Sequence, residues 1–258
     1  MSDAHTRRVQ EQFGGSAAAY VTSPLHAAGE DLDRLAAWGA ARRAERVLDV
    51  ATGGGHTALA FAGIARRVVA YDLTEAMVAA ARGHVRGRGA VNVSFIAGDA
   101  TALPFAEGVF DVVTCRTAAH HFPDVAAFVR QIHRVLRPGG SLLLQDILGH
   151  DDAAANAFIL EVERRRDPSH VRSYRKAEWK AFLRAAGLTV MEEHLIWKIR
   201  EWDEWTGRMR MTPEARRDLE TFVRQSSEAC RAAFDFRLTP DRVVSFNDRQ
   251  ILLRADRD

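Results

Sequence analysis

The chain has 258 residues, 47% hydrophobic and 27% charged, and its 36 lysines and arginines nearly balance 34 aspartates and glutamates, for a formal net charge of +2. That length suits one large α/β domain with a sizeable core, no apolar run nears the roughly 20 residues of a bilayer span, and the intermixed charge argues against a nucleic-acid partner. Two cysteines, Cys115 and Cys230, cannot build a disulfide framework, no Cys/His cluster has metal spacing and no signal-like start precedes the first helical pattern, so a metal-free, cytoplasmic protein is expected.

Residues 1–44 carry two helical patterns before any strand: Val9, Phe13, Ala17 and Tyr20 mark the first, and Leu32, Leu35, Ala36 and Trp38 the second. They predict an N-terminal helical cap, with Phe13, Tyr20 and His26 facing inward; a plain packing stripe is the alternative for these three. Residues 47–50 then form an apolar strand that breaks into Gly53-Gly54-Gly55 and resumes at helical spacing from His56. Glycines allow a tight turn and close approach of a ligand to the main chain, and the new helix offers free N–H groups, so a nucleotide-like ligand is expected there. The strand at 67–72 closes on Asp72, 23 residues after Asp49, and the strand beginning at Val93 runs out into Gly98-Asp99-Ala100. Parallel strands place their C-terminal ends together, so Asp49, Asp72 and Asp99 should surround one ligand. A fourth strand, 109–116, leads into Ala119-His120-His121-Phe122-Pro123, and after a helix the turn Arg137-Pro138-Gly139-Gly140 precedes a fifth strand, 141–148.

Beyond it, residues 151–166 form a helix with Phe158, Ile159 and Val162 on one side. Its terminal Arg164-Arg165-Arg166 is read as a complement to the helix dipole. The segment from Asp167 to Tyr174 mixes turn, basic and aromatic residues; it either lines a pocket or satisfies its own backbone. Residues 176–186 are an amphipathic helix stopped by Gly187, and 188–200 and 249–254 are the sixth and seventh strands. Of the roughly 48 residues between them, 214–234 read as one long helix, with Thr212 as N-cap, Pro213 in the first turn and the stripe Leu219, Phe222, Val223, Cys230 and Phe234. That helix could pair two subunits in a homodimer.

Asp49-x-Ala51-x-Gly53-x-Gly55, the strand-end Asp72, Gly98-Asp99-Ala100, His120-His121-Phe122 and Arg134-Val135-Leu136-Arg137-Pro138-Gly139-Gly140 occur in this order across residues 45–148. Together they resemble the class I S-adenosylmethionine-dependent methyltransferases, nearest to the group containing the ubiquinone/menaquinone biosynthesis C-methyltransferases and many small-molecule methyltransferases. The resemblance implies an α/β fold: a Rossmann-like, doubly wound, seven-stranded sheet with an antiparallel last strand, plus the N-terminal helical cap and helical lid insertions. All of it forms one domain over 1–258, divided into the cap (1–44), the cofactor-binding core (45–148), and the lids and C-terminal strands (149–258).

By the same resemblance, Gly53 and Gly55 approach the amino acid and ribose parts of S-adenosylmethionine, with Ala51 standing where many members have a glycine. Asp49 orients the loop and the cofactor's ammonium, Asp72 takes the ribose diol, Leu73 and Met77 flank the adenine, and Asp99 with Ala100 meets its edge. Tyr20 and Arg116 complete the expected cofactor contacts. Turn capping remains the alternative for Asp49 and Asp99, and core packing for Met77. The implied reaction is in-line displacement onto a small-molecule acceptor, aromatic or polyketide-like, with C- or O-methylation favoured and S-adenosylhomocysteine as product; positioning is its leading requirement. His120 or His121 is a candidate general base, with packing and helix capping as the alternative; His170 is a second candidate base, and His26, Arg172 and Tyr174 are candidate acceptor contacts. Two other functions stay open. The register Gly53-x-Gly55-x-x-Ala58 also fits a nicotinamide-dependent oxidoreductase, and a module that binds S-adenosylmethionine without turnover would keep the same residues.

Overall fold

Five apolar runs of the first half form parallel strands in the computed structural model, which describes residues 3–15 and 17–258; residues 1, 2 and 16 of the expected cap lie outside that range. The strands are β1 (Arg46–Val50), β2 (Arg67–Asp72), β3 (Val93–Ala97), β4 (Phe110–Arg116) and β5 (Leu136–Ile147). With β6 (Leu188–Glu201), β7 (Arg237–Leu238) and β8 (Val243–Arg257) they make an eight-stranded sheet ordered β3-β2-β1-β4-β5-β8-β6, β7 pairing with β8. β8 runs antiparallel to β5, and β6 antiparallel to β8. The strand order reverses between β1 and β4, and a crevice opens beside such a switch point at the carboxyl ends of the strands.

Helices α1 (Asp3–Gly14), α2 (Ala17–Thr22) and α3 (Pro24–Ala27) precede α4 (Glu30–Ala41), α5 (His56–Ala62) and α6 (Glu75–Gly87). The last three cover one face of the sheet: Leu35, Trp38, Phe61 and Val85 pack on Val47, Val68, Leu143 and Leu252. The other face is covered by α7 (Val125–Val135) and α9 (Lys176–Ala185), whose Phe128, Ile132, Trp179 and Leu183 pack on Leu142, Leu144, Ile251 and Leu253. Leu142-Leu143-Leu144 thus sends alternate side chains into two cores, as a strand buried on both faces must. The Asp124 carboxylate starts α7 by accepting from Ala127 N–H at 2.8 Å.

The C-terminal half adds α8 (Ala153–Arg166), α10 (Trp202–Gly207), α11 (Pro213–Gln225) and α12 (Glu228–Ala232). They share a third apolar cluster built from Phe158, Val162, Trp205, Leu219, Phe234 and Phe246. Among the described residues no helix is long and apolar enough to cross a membrane.

Several boundaries differ from the sequence reading. The helix expected over 214–234 breaks at Ser226-Ser227, where the Ser227 hydroxyl accepts from Cys230 N–H at 3.2 Å and starts a new helix. Its stripe lies in the third cluster, with Leu219 and Val223 fully buried and Phe222 and Cys230 partly buried against it. The pattern from Val9 to Tyr20 likewise divides into α1 and α2. An eighth strand, β7, has only two residues and no alternation to show it. β8 starts at Val243 rather than Arg249, because the polar Asp248 that interrupts its pattern is buried against Arg200 of β6, which donates to it from Nε at 3.0 Å.

Candidate active site

The turn after β1 is built around the Asp49 carboxylate, which accepts from Thr52 Oγ1 at 2.6 Å and from Thr114 Oγ1 of β4 at 2.7 Å. Burial pushes its pKa up to about 6 against those hydrogen bonds. Asp49 therefore ties the turn to the neighbouring strand, and it lies behind the cavity wall. Ala51 sits in the left-handed region at φ 54°, with Gly53 at φ 53°. The three glycines do different work. A Cβ on Gly53 would meet nothing within 4 Å; on Gly54 it would stand 2.9 Å from the Tyr20 carbonyl oxygen, and on Gly55 3.0 Å from Val85 and 3.1 Å from Ala81. Gly53 leaves the main chain open, whereas Gly54 admits α2 and Gly55 admits α6. Gly55, expected to approach the ligand, packs on α6 and is not on the cavity wall.

A cavity open to solvent lies over the strand ends. At one end, Ala51, Gly53, Asp72, Leu73, Met77, Asp99 and Ala100 line it, all of them predicted cofactor contacts. Asp72 accepts from Gly53 N–H at 2.9 Å and Thr74 N–H at 3.0 Å; burial raises its pKa against those two donors. Each carboxylate oxygen keeps a further lone pair for a ligand hydroxyl. Asp99 accepts at Oδ1 from Thr101 N–H, 2.7 Å, and Thr101 Oγ1, 2.8 Å. An oriented carboxylate beside an open glycine, with Leu73 and Met77 as apolar walls, is a donor set that fits the ribose and adenine of S-adenosylmethionine.

The other end brings the three predicted histidines together. Ring centroids of His120 and His121 lie 4.1 Å apart, and His170 stacks on His120 at 4.9 Å. His120 Nδ1–H donates to Asp146 Oδ1 at 2.5 Å, and Asp146 Oδ2 is buried with no partner among the described residues. Burial works against charging His120, but the Asp146 carboxylate outweighs it and raises the pKa. His121 donates from Nδ1 to the Ser169 carbonyl at 3.1 Å; burial and the neighbouring His120 lower its pKa to about 4. His170 is also driven well below its ordinary value, by burial first and then by His120. Among the described residues no group of three or more His, Cys, Asp or Glu is arranged to hold a metal ion.

The cap closes the cavity from above with Phe13, Tyr20 and His26, all on its wall. Phe13 meets the edge of His121 at 4.9 Å, and Tyr20 lies 5.0 Å from His26. Burial, then Arg116, lowers the His26 pKa well below its usual value.

Besides Asp49 and Gly55, three predicted site residues lie off the cavity wall. Arg116 donates from Nε to Asp31 at 2.6 Å and from Nη1 to the His26 carbonyl at 2.8 Å, pinning α4 and α3 to the end of β4 instead of lining the cavity. Arg172 pairs with Glu178 on the surface, and Tyr174 is buried against Trp179 and Phe182. The backbone N–H groups of Val171 and Arg172 donate to the His120 carbonyl, and neither Arg172 nor Tyr174 lines the cavity.

Asp167 and His170 of the segment read as a possible pocket lining reach the wall, whereas Arg166, Lys198, Arg200 and Arg208, with Asp146 behind His120, carried no such expectation. Two had a signal. Arg166 continues the buried face of α8 four residues after Val162, and Lys198 and Arg200 alternate with the exposed Trp197 and Ile199.

Residues 48–144 match the family model described as a methyltransferase domain. The chain is 34% identical over 245 residues to the uncharacterized methyltransferase YcgJ of Bacillus subtilis, covering 94% of this chain and 96% of that one. It is 37% identical over 115 residues to the ubiquinone/menaquinone biosynthesis C-methyltransferase UbiE of Dinoroseobacter shibae, covering 43% and 46% of the two chains. A crystal structure of a methyltransferase-type protein from Bacillus halodurans superposes with a TM-score of 0.86 at 40% identity, covering 88% of this chain and 99% of the other.

Proposed function

Since the chain belongs to the S-adenosylmethionine-dependent methyltransferases, we propose that it methylates a carbon or oxygen of a small-molecule acceptor bound beneath the cap, with His120 as the proton-accepting group. The observation that carries this reading is a shared cavity, with Asp72 and Gly53 at one end and the His120–Asp146 pair at the other. When bound, S-adenosylmethionine supplies an electrophilic methyl carbon on a sulfonium with a neutral leaving group. Asp72 holds the ribose hydroxyls, Leu73 and Met77 flank the adenine, and Asp99 and Ala100 meet its edge.

Because Nδ1–H of His120 is committed to Asp146, the neutral ring presents Nε2 as its acceptor nitrogen. With the donor bound, Nε2 of His120 would accept the proton that the acceptor gives up, Asp146 would stabilise the resulting imidazolium, and the methyl–sulfur bond would break to leave S-adenosylhomocysteine. His121 and His170, both pushed toward the neutral form, add no competing charge next to it. Phe13 and Tyr20 exclude water from the line of attack, and such positioning is worth roughly 7–11 kcal/mol in favourable model reactions.

The test is transfer of labelled methyl from S-adenosylmethionine into separate pools of phenols, quinol precursors, amines and thiols. Label in phenol or quinol products is expected, with the single-turnover rate falling about 10²–10⁴-fold in His120→Ala. Label confined to amines or thiols, or an unchanged rate in the variant, overturns the reading. Stabilisation by NADH instead of S-adenosylhomocysteine in thermal melts would favour an oxidoreductase.

A further inference from the structure

The acceptor end of the cavity carries more positive charge than a neutral acceptor needs. Arg166, Lys198, Arg200 and Arg208 all reach its wall. Two of them meet buried carboxylates: Lys198 Nζ lies 2.8 Å from Asp31, which Arg116 also engages, and Arg200 is held by Asp248. Arg166 donates from Nε to the Trp205 carbonyl at 3.0 Å, lies over the Trp205 ring, and has Glu163 at 3.6 Å. Arg208 is different. Its side chain is 10% exposed, yet its partner Glu204 stands 3.4 Å away and is 54% exposed, so that pair is largely screened by solvent.

Burial, Arg166 and Arg200 together lower the Arg208 pKa to about 10, the response of a guanidinium facing like charges in a dry wall. Asp167, the carboxylate on the same cavity wall, is engaged elsewhere. Asp167 Oδ1 accepts from Ser169 N–H at 2.9 Å and Ser169 Oγ at 2.5 Å, and Oδ2 lies toward His121 Nε2 at 3.9 Å.

Building on methyl transfer as the reaction, we propose that the acceptor is a carboxylate-bearing molecule whose anionic group docks on Arg208 and Arg166 while its methylated atom faces His120. Arg208 offers one guanidinium whose only ion-pair partner among the described residues is the solvent-screened Glu204, and one guanidinium matches a monoanion. A planar fork of N–H donors suits a carboxylate in bidentate geometry. Phe13, Tyr20 and Trp205 supply apolar walls for the rest of the acceptor. Arg208 follows the last turn of α10 and Arg166 ends α8, so both lid insertions contribute to the same subsite.

The experiment is calorimetric titration of the S-adenosylhomocysteine-loaded protein with benzoate, benzamide and phenyl phosphate. Benzoate should bind at least about tenfold more tightly than the uncharged benzamide. In Arg208→Gln benzoate affinity should fall about thirtyfold, with S-adenosylhomocysteine affinity held within about twofold, and Arg208→Lys should recover part of the loss. Equal binding of benzoate and benzamide in the wild type, which needs no variant to fold, overturns the proposal. So does absence of benzoate binding, or benzoate affinity unchanged in Arg208→Gln. Tighter binding of phenyl phosphate than of benzoate overturns the carboxylate in favour of a phosphate ester. S-adenosylhomocysteine failing to bind the wild-type protein would instead overturn the donor reading beneath it.

Discussion

At the scale of single residues, the site depends on small groups whose surroundings set their chemistry. Asp146 fixes the tautomer of His120 and raises its pKa, so replacing the carboxylate removes both effects. Asp146→Asn is expected to lower the single-turnover plateau about 10²-fold or more and to move the rise of rate with pH toward acid, since the imidazole then becomes neutral at lower pH. A pH profile that superposes on the wild type would remove the pair from the mechanism. Ala51 illustrates stored strain: a left-handed alanine costs about 1–2 kcal/mol, while glycine gives back about 0.5–1 kcal/mol in unfolded-state entropy. Ala51→Gly should therefore stabilise the fold by up to about 1 kcal/mol in urea unfolding, and a loss of stability would show that the turn carries no strain there.

At the scale of elements, the cap is held to the core by backbone rather than by an apolar stripe alone. His56 Nε2–H donates to the Tyr20 carbonyl at 3.0 Å, directly above Gly54. A methyl group on Gly54 would push against that carbonyl, and overpacking of this kind costs about 1–3 kcal/mol. Gly54→Ala should weaken S-adenosylhomocysteine binding about tenfold and speed amide exchange in residues 17–22, with exchange in β1 and β4 unchanged. Exchange that rises equally in the strands would mean that the cap and sheet open together. α4 is anchored differently, by the buried Asp31 between Arg116 and Lys198. Breaking such a group strands buried charge, so Asp31→Asn should cost about 3–5 kcal/mol in urea unfolding. A cost under about 1 kcal/mol would show solvent reaching the pair.

At the scale of the molecule, His121 is kept neutral inside the folded chain, with its pKa lowered to about 4. The unfolded chain then binds more protons between pH 4 and 6.5, so this stability is fully present above the unfolded value and is lost as pH falls through that window, at about 1.4 kcal/mol per pH unit. Asp49 and Glu163, both raised to about 6 by burial, act in the opposite direction, so the difference between wild type and His121→Gln is the quantity to measure. The wild type should lose more stability than the variant from pH 6.5 to 4; parallel curves would refute the neutral assignment. The sequence by itself determined the parallel core, because apolar runs, glycine breaks and strand-end acids at Asp72 and Asp99 are local patterns that parallel pairing brings to one edge. Only the tertiary structure decided the acceptor end. Arg166, Arg200, Arg208 and Asp146 come from four separate elements, and their burial depends on pairing across the sheet and lids. Arg172 and Tyr174, adjacent in sequence to His170, lie off the cavity wall; the backbone of this loop is held by the His120 carbonyl, and Tyr174 is drawn into the packing of α9. Local periodicity records which face is apolar, but charge becomes a binding feature only when distant elements enclose it with an incomplete set of partners.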